Sequence, residues 1–173
     1  MSVAYHPPRL LQASDDVDVF TCRSTEQTEW LRRHARQSAF TGTTKVFVVT
    51  SHGDDVVVAY YGWCMAQLDI EAAPPRLAKG GGRYPQPIAL LARLGVDISH
   101  EGRGLGAGLL IDAITRLLSI SAEIGCRGLL IHAESEEARQ FYLHLIPELQ
   151  PSPTDELHLV LLMKDARRSL LDT

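Results

Sequence analysis

Residues 97–110 read DISHEGRGLGAGLL, with glycine at every second position from Gly102 to Gly108 between two apolar runs. A glycine-rich turn from a strand into a helix suits phosphate binding. Glycine lets the backbone approach the oxygens, and the helix end presents free N–H groups. Several unrelated folds carry such a turn, so the flanking sequence decides which fold this one builds.

The bounds are set by composition. The chain has 173 residues, 45% of them apolar and 22% charged, which is the size of one domain (1–173) with room for a sizeable core. Cys22, Cys64 and Cys126 are too few, too far apart and odd in number for a disulfide framework, and they fit no metal spacing, so a cytoplasmic protein is expected. The opening MSVAYHPPRL has no apolar core behind a basic flank, and no run reaches the ~18 residues that a membrane span needs. Seven histidines are scattered without a ligand spacing, and no metal is expected; His132, within an apolar run, reads as a core residue. A net charge of −4 leaves room for a local basic patch.

Outward from the turn, IALLARLGV (88–96) reads as a buried strand before it. After it, Leu105, Leu109, Ala113, Leu117 and Ile120 recur at helical spacing, with Gly125 as the C-cap. RGLLIHA is a second buried strand, SEEARQFYLHL a helix with Ser135 as N-cap, and ELHLVLLMK a last strand. Upstream, residues 10–20 read as an edge strand. Ser24 and Gln27 make a capping box for a helix whose stripe is Trp30, Leu31, His34, Ala35 and Ser38, opposite Arg32, Arg33 and Arg36. KVFVVT and VVVAYYGWCMAQLDI, joined by SHGDD, form an antiparallel hairpin. The Pro- and Gly-rich stretch 71–87 is a long connection, expected to be functional or mobile. Hairpin strands, one β-α-β crossover and a last strand predict an α+β fold, an α/β/α sandwich with a mixed, mostly antiparallel central sheet flanked by helices.

Gly102 to Ala107 also satisfy G-x-G-x-x-A, the dinucleotide-binding pattern, and Glu134 follows the next strand as a ribose-binding acid would. Five residues nevertheless separate the strand from the first glycine, and too little chain follows for a large parallel sheet. In the alternative frame, Glu101-x-x-Gly104-x-Gly106 after the strand 90–96 resembles the Q/R-x-x-G-x-G/A signature of the GCN5-related N-acetyltransferases (GNAT), whose loop holds the pyrophosphate of coenzyme A.

The resemblance extends over nearly the whole chain. LLARLGVD…GRGLGAGLLIDA, GLLIHAESEEARQFY and PSPTDELHLVLLMKD, preceded by VFTCRSTEQTEWLRRHA and VVVAYYGW, look like the tRNA-acetylating toxins of type II toxin–antitoxin modules. That resemblance implies acetyl transfer from acetyl-CoA to the α-amine of an aminoacyl-tRNA, which blocks translation. It also implies a ribbon-helix-helix antitoxin, operator DNA bound through it, and a homodimer. By the same resemblance Tyr142 is the catalytic acid. Leu94, Val96, Glu101, Gly102, Arg103, Gly104, Gly106, Ala107 and Ser135 meet the co-substrate, and Arg93 meets the acceptor end of the tRNA. Clusters formed by Arg32, Arg33 and Arg36 and by Arg76, Lys79 and Arg83 are candidate phosphate contacts.

Two features depart from the family pattern: Ile146-Pro147 replaces a Gly-Phe turn, and Glu101 puts an acid where phosphate would be repelled, leaving only its backbone to contribute. Two other readings stay open, an acetyltransferase of a small amine or protein N-terminus and a non-catalytic CoA-binding module.

Overall fold

In the computed structural model, which describes residues 4–171, the chain divides into two units: Met1–Cys64 with Ala92–Asp112, and Met65–Leu91 with Ala113–Thr173. The strands belong to a seven-stranded sheet of order β1-β2-β3-β4-β5-β7-β6, comprising β1 (Arg9–Leu10), β2 (Lys45–Thr50), β3 (Val57–Leu68), β4 (Gln86–Val96), β5 (Gly128–His132), β6 (Gln150–Ser152) and β7 (Asp155–Leu162). β1 with β2, β2 with β3, and β7 with both β5 and β6 are antiparallel pairs, while β4 runs parallel to β5. The mixed, mostly antiparallel sheet predicted from the sequence is therefore present.

In the first unit, α1 (Thr25–Arg33) and α2 (Ala35–Thr41) lay Leu31 and Ala35 on Val46, Val48, Val57 and Tyr60, with Val17 and Phe20 sealing the cluster. Ser24 caps α1 as expected, its side chain accepting from the Gln27 N–H at 3.1 Å. The single helix read through Ser38 is instead two that meet at His34, whose φ of −119° is stretched well away from the helical value although its ψ of −23° keeps it in the right-handed region. The opposite face of β2 is buried as well, where Phe47 stacks on Tyr61 with ring centres 5.1 Å apart.

The edge strand expected over residues 10–20 is also corrected. β1 ends at Leu10, and the chain then turns because aspartate side chains compete for the backbone: Asp15 accepts from the Gln12 N–H at 2.7 Å, and Asp16 from the Asp18 N–H at 2.9 Å.

In the second unit, a 3₁₀ turn (Ile70–Ala72) and the short helix α3 (Pro75–Ala78) occupy much of the stretch read as a bare connection. Leu77 of α3 packs with Ile88, Leu130, Val160 and Leu162. α4 (Leu105–Ser121) ends four residues before Gly125, which does not take the left-handed conformation of a C-cap. α5 (Glu136–Leu145) is capped by Ser135, whose hydroxyl accepts from the Ala138 N–H at 3.1 Å. β6 and the C-terminal helix α6 (Met163–Leu171) had no signal strong enough to separate them from the last strand. His132 is not a core residue. It is exposed at the end of β5, stacked on His158 with centroids 3.9 Å apart, and partial loss of hydration, followed by the charge of that neighbour, lowers its pKa.

Asp15 carries the clearest pH-linked contribution to stability. Its side chain is sealed from solvent and receives Arg9 through two bonds of 2.7 and 2.8 Å. Burial alone would raise its carboxyl, but the Arg9 and Gln12 hydrogen bonds and the nearby cations Arg9 and Arg36 outweigh it and hold it below the usual carboxylate range. The folded value lies under the unfolded one of about 3.9, so the stabilisation is complete above that pH and lost as pH falls through the folded value. Asp15→Asn should cost about 1–3 kcal/mol at neutral pH. Urea unfolding across pH should show the gap to wild type closing under acid conditions; a gap constant from neutral to strongly acidic pH would show that the pair is not ionic.

Candidate active site

β4 pairs with β5 from Ala89↔Leu129 to Leu91↔Ile131 and runs on through residues 92–96 past the last pair of that ladder. Within the first unit this extension passes so close to the core that a Cβ on Gly95 would lie 3.2–3.3 Å from Tyr60, Cys22 and Phe20. Asp97 then fixes the chain: its N–H donates to Val58 O at 2.8 Å, and its carboxylate accepts from the N–H groups of Thr21 (3.0 Å) and Ser99 (2.8 Å). A 3₁₀ turn (Ile98–His100) follows, and Gly102 (φ 74°) and Gly104 (φ 78°) take left-handed conformations that side chains resist. α4 begins at once, with the Gly108 N–H bonded to Gly104 O at 3.0 Å. Leu105, Gly106 and Ala107 therefore occupy the first turn, where N–H groups have no partner in the helix and carry its positive end.

The acid at Glu101 is neutralised by a residue that sequence reasoning missed. Arg23 donates to it through two bonds of 2.9 and 3.0 Å, across 78 residues of chain. Arg103 is tied in similar fashion, donating to Tyr5 Oη at 3.0 Å, which in turn lies 2.7 Å from His100 Nδ1. Neither Arg23 nor Tyr5 had a local sequence signal, because both partners are far away in the chain.

The basic residues mostly find partners within the chain. Arg32 donates to Phe20 O (2.8 Å) and Thr21 Oγ1 (2.9 Å), Arg33 pairs with Glu29 at 2.8 Å, and Arg36 donates to Asp15 O. Arg93 pairs with Glu26 at 2.8 Å and lies over the Trp30 ring, 5.3 Å from its centre. In the second unit Arg76 pairs with the buried Asp165 at 2.9 Å. Lys79 and Arg83 are exposed and have no ion-pair partner among the described residues.

Also in the second unit, α5 places Tyr142 in the core at 6% exposure, beside the more exposed Phe141. Burial first, and the charge of Glu134 second, push the Tyr142 phenol well above its usual range. The group stays protonated at neutral pH and can act as a donor but not as a base. Ser135, Lys79 and Arg83 share this unit with Tyr142, whereas Leu94, Val96 and the glycine turn belong to the first. Among the described residues no group of three or more potential metal ligands assembles, and no helix is long and apolar enough to cross a membrane.

A mixed sheet with a parallel β4–β5 pair, and a glycine turn from β4 into the helix that follows, define a GCN5-related N-acetyltransferase fold. A solved structure of AtaT complexed with acetyl-methionyl-tRNAfMet superposes with a TM-score of 0.84 at 24% identity, covering 99% of this chain and 100% of that one. A mutant AtaT toxin bound to the C-terminus of the antitoxin AtaR and acetyl-CoA gives 0.79 at 22% identity, covering 100% of both chains. No family model matches the chain. A tRNA-acetylating toxin of Mycobacterium tuberculosis (strain ATCC 25618 / H37Rv) is 39% identical over 168 residues, 97% of this chain and 98% of that protein. The chain belongs to the family of tRNA-acetylating toxins.

Proposed function

We propose that residues 1–173 act as a single acetyltransferase domain, a cytoplasmic toxin that moves the acetyl group of acetyl-CoA to the α-amine of an aminoacyl-tRNA and so blocks translation. The observation that carries this reading is the 39% identity, over nearly the full length, to a tRNA-acetylating toxin. Family likeness extends it to a homodimer held in check by a ribbon-helix-helix antitoxin that also engages operator DNA. Complexes of relatives with an antitoxin peptide, and of KacTA with DNA, support such partners.

The chemistry follows from groups already described. An amine attacking a thioester needs donors for the developing oxyanion and an acid for the departing sulfur. Backbone groups at Leu94 and Val96, on the β4 extension, serve the acetyl carbonyl and the pantetheine arm. N–H groups from Gly102, Arg103 and Gly104, and from the first turn of α4 at Gly106 and Ala107, hold the pyrophosphate, with Glu101 contributing its backbone. Ser135 contacts the same co-substrate. Tyr142 donates its proton to the leaving sulfur and is reprotonated by the proton that the attacking amine must lose; its raised pKa keeps the phenol protonated at rest, while a thiol ionises at about 8.5, so the donation runs uphill and is completed by the amine's proton. On the RNA side Arg93 meets the acceptor end, and Arg32, Arg33, Arg36, Arg76, Lys79 and Arg83 meet phosphates. Lys79 and Arg83 are ready to do so as they stand, while Arg33, Arg76 and Arg93 must exchange a carboxylate for a phosphate.

Three outcomes test this. Tyr142→Phe should lower acetyl transfer about 10²- to 10⁴-fold with little change in thermal stability; wild-type turnover would return the residue to a packing role. Arg23→Ala bares the Glu101 carboxylate and should weaken acetyl-CoA binding about two- to fivefold by calorimetry. Adding Glu101→Gln should restore the affinity, and a double variant no tighter than the single one would place the pair away from the pyrophosphate. Acetylation of an aminoacyl-tRNA should fall steeply as salt rises, and Lys79→Gln with Arg83→Gln should flatten that log–log slope by about one to two units. Equal, salt-independent use of a free amino-acid ester would favour the small-amine reading.

A further inference from the structure

Residues 79–86 read KGGGRYPQ, and the fold presents them in an unusual way. Tyr84 is 79% exposed, between Gly82 (φ 72°) and Pro85. Its ring has no aromatic or hydrogen-bonded partner among the described residues, and the side chains of Lys79 and Arg83 in the same stretch are equally unengaged.

A lone exposed tyrosine on a slack loop would mean little, but this loop is braced from below. Gln86, at 4% exposure, donates its side-chain amide to Gly81 O at 2.7 Å and to Tyr84 O at 2.8 Å. Arg127 in turn donates to Gln86 Oε1 and, at 3.0 Å, to Leu77 O. The fit is close enough that a Cβ on Gly81 would come within 2.6 Å of Gln86 Oε1. Buried polar groups thus fix the backbone of a loop that presents an exposed tyrosine ring and also carries the unpaired cations Lys79 and Arg83.

We infer that Tyr84 is a stacking platform for an unpaired base of the RNA substrate, with Lys79 and Arg83 on the flanking phosphates; this rests on the reading of the substrate as aminoacyl-tRNA. Any base offers a flat π-face to an aromatic ring, whereas bases inside a duplex are covered by one another. The cations supply charge complementarity to the backbone of the same nucleotides. With the loop backbone braced, only the Tyr84 side chain is left to order on binding, so the contact is partly pre-organised.

The test is fluorescence titration with a short single-stranded RNA carrying 2-aminopurine, whose emission falls when it stacks. Wild type should quench the probe and bind it more tightly than a blunt RNA duplex of the same length. Tyr84→Ala should abolish the quench and weaken binding about tenfold, Tyr84→Trp should retain both, and all three proteins should melt at the same temperature. Because both cations remain, Tyr84→Ala should keep the wild-type salt slope. Full quenching and affinity in Tyr84→Ala, or no quenching by wild type, would overturn the stacking role. Quenching by a wild type that fails to acetylate aminoacyl-tRNA would leave the platform standing and sink the proposed reaction, so the two failures can be told apart.

Discussion

Two left-handed glycines, Gly102 and Gly104, impose the constraint on which the co-substrate end of this molecule depends. They let the chain leave the 3₁₀ turn after β4 and enter α4 without a side chain in the way, so that the first-turn N–H groups of the helix are free. Such a turn is costly to hold in one conformation, and the chain holds it with contacts from far away. Asp97 binds the Thr21 N–H, Arg23 binds Glu101, and Tyr5 binds Arg103, at separations of 76, 78 and 98 residues. The N-terminal segment therefore acts as a clasp on the glycine turn, which gives a physical role to residues that carry no motif.

Charge is distributed with similar economy. Apart from Lys79 and Arg83, the cations singled out for RNA are satisfied within the chain, by carboxylates such as Glu26, Glu29 and Asp165 or by carbonyl oxygens such as Phe20 O and Asp15 O. An acidic protein that engages a polyanion must limit its own repulsion, and pairing its arginines while leaving a few cations on a braced loop does so. The exposed pairs Arg93–Glu26 and Arg33–Glu29 are individually weak, so exchanging either carboxylate for a phosphate costs little, whereas releasing Arg76 leaves the buried Asp165 to Arg168 and costs more.

Much of this was legible in the sequence where the signal is local. The Ser24 and Ser135 caps, the β2–β3 hairpin, the strand before the glycines and the helix after them all announce themselves by spacing or by a capping side chain. What was not legible depended on distant or competing contacts. Asp15 and Asp16 turned a strand-like stretch by taking backbone N–H groups, and His34 split an otherwise continuous helical stripe. β6 and α6 were hidden because Pro151 lies in a short edge strand, while Met163 continues an apolar run without a break. At the site, the glycine turn stood out by its own spacing and Tyr142 only through the family resemblance, whereas Arg23, the counter-charge of Glu101, carried no signal, since only the fold joins them.

The central claim is where the acetyl group goes, and product analysis tests it most directly. Purified protein is incubated with acetyl-CoA and charged tRNA, the RNA is digested with nuclease, and the terminal aminoacyl-adenosine is analysed by mass spectrometry. The account predicts that it gains the mass of one acetyl group, located by fragmentation on the α-amine. Acetyl groups found only on free amino acids or protein amines, with the aminoacyl-adenosine unmodified, would contradict it.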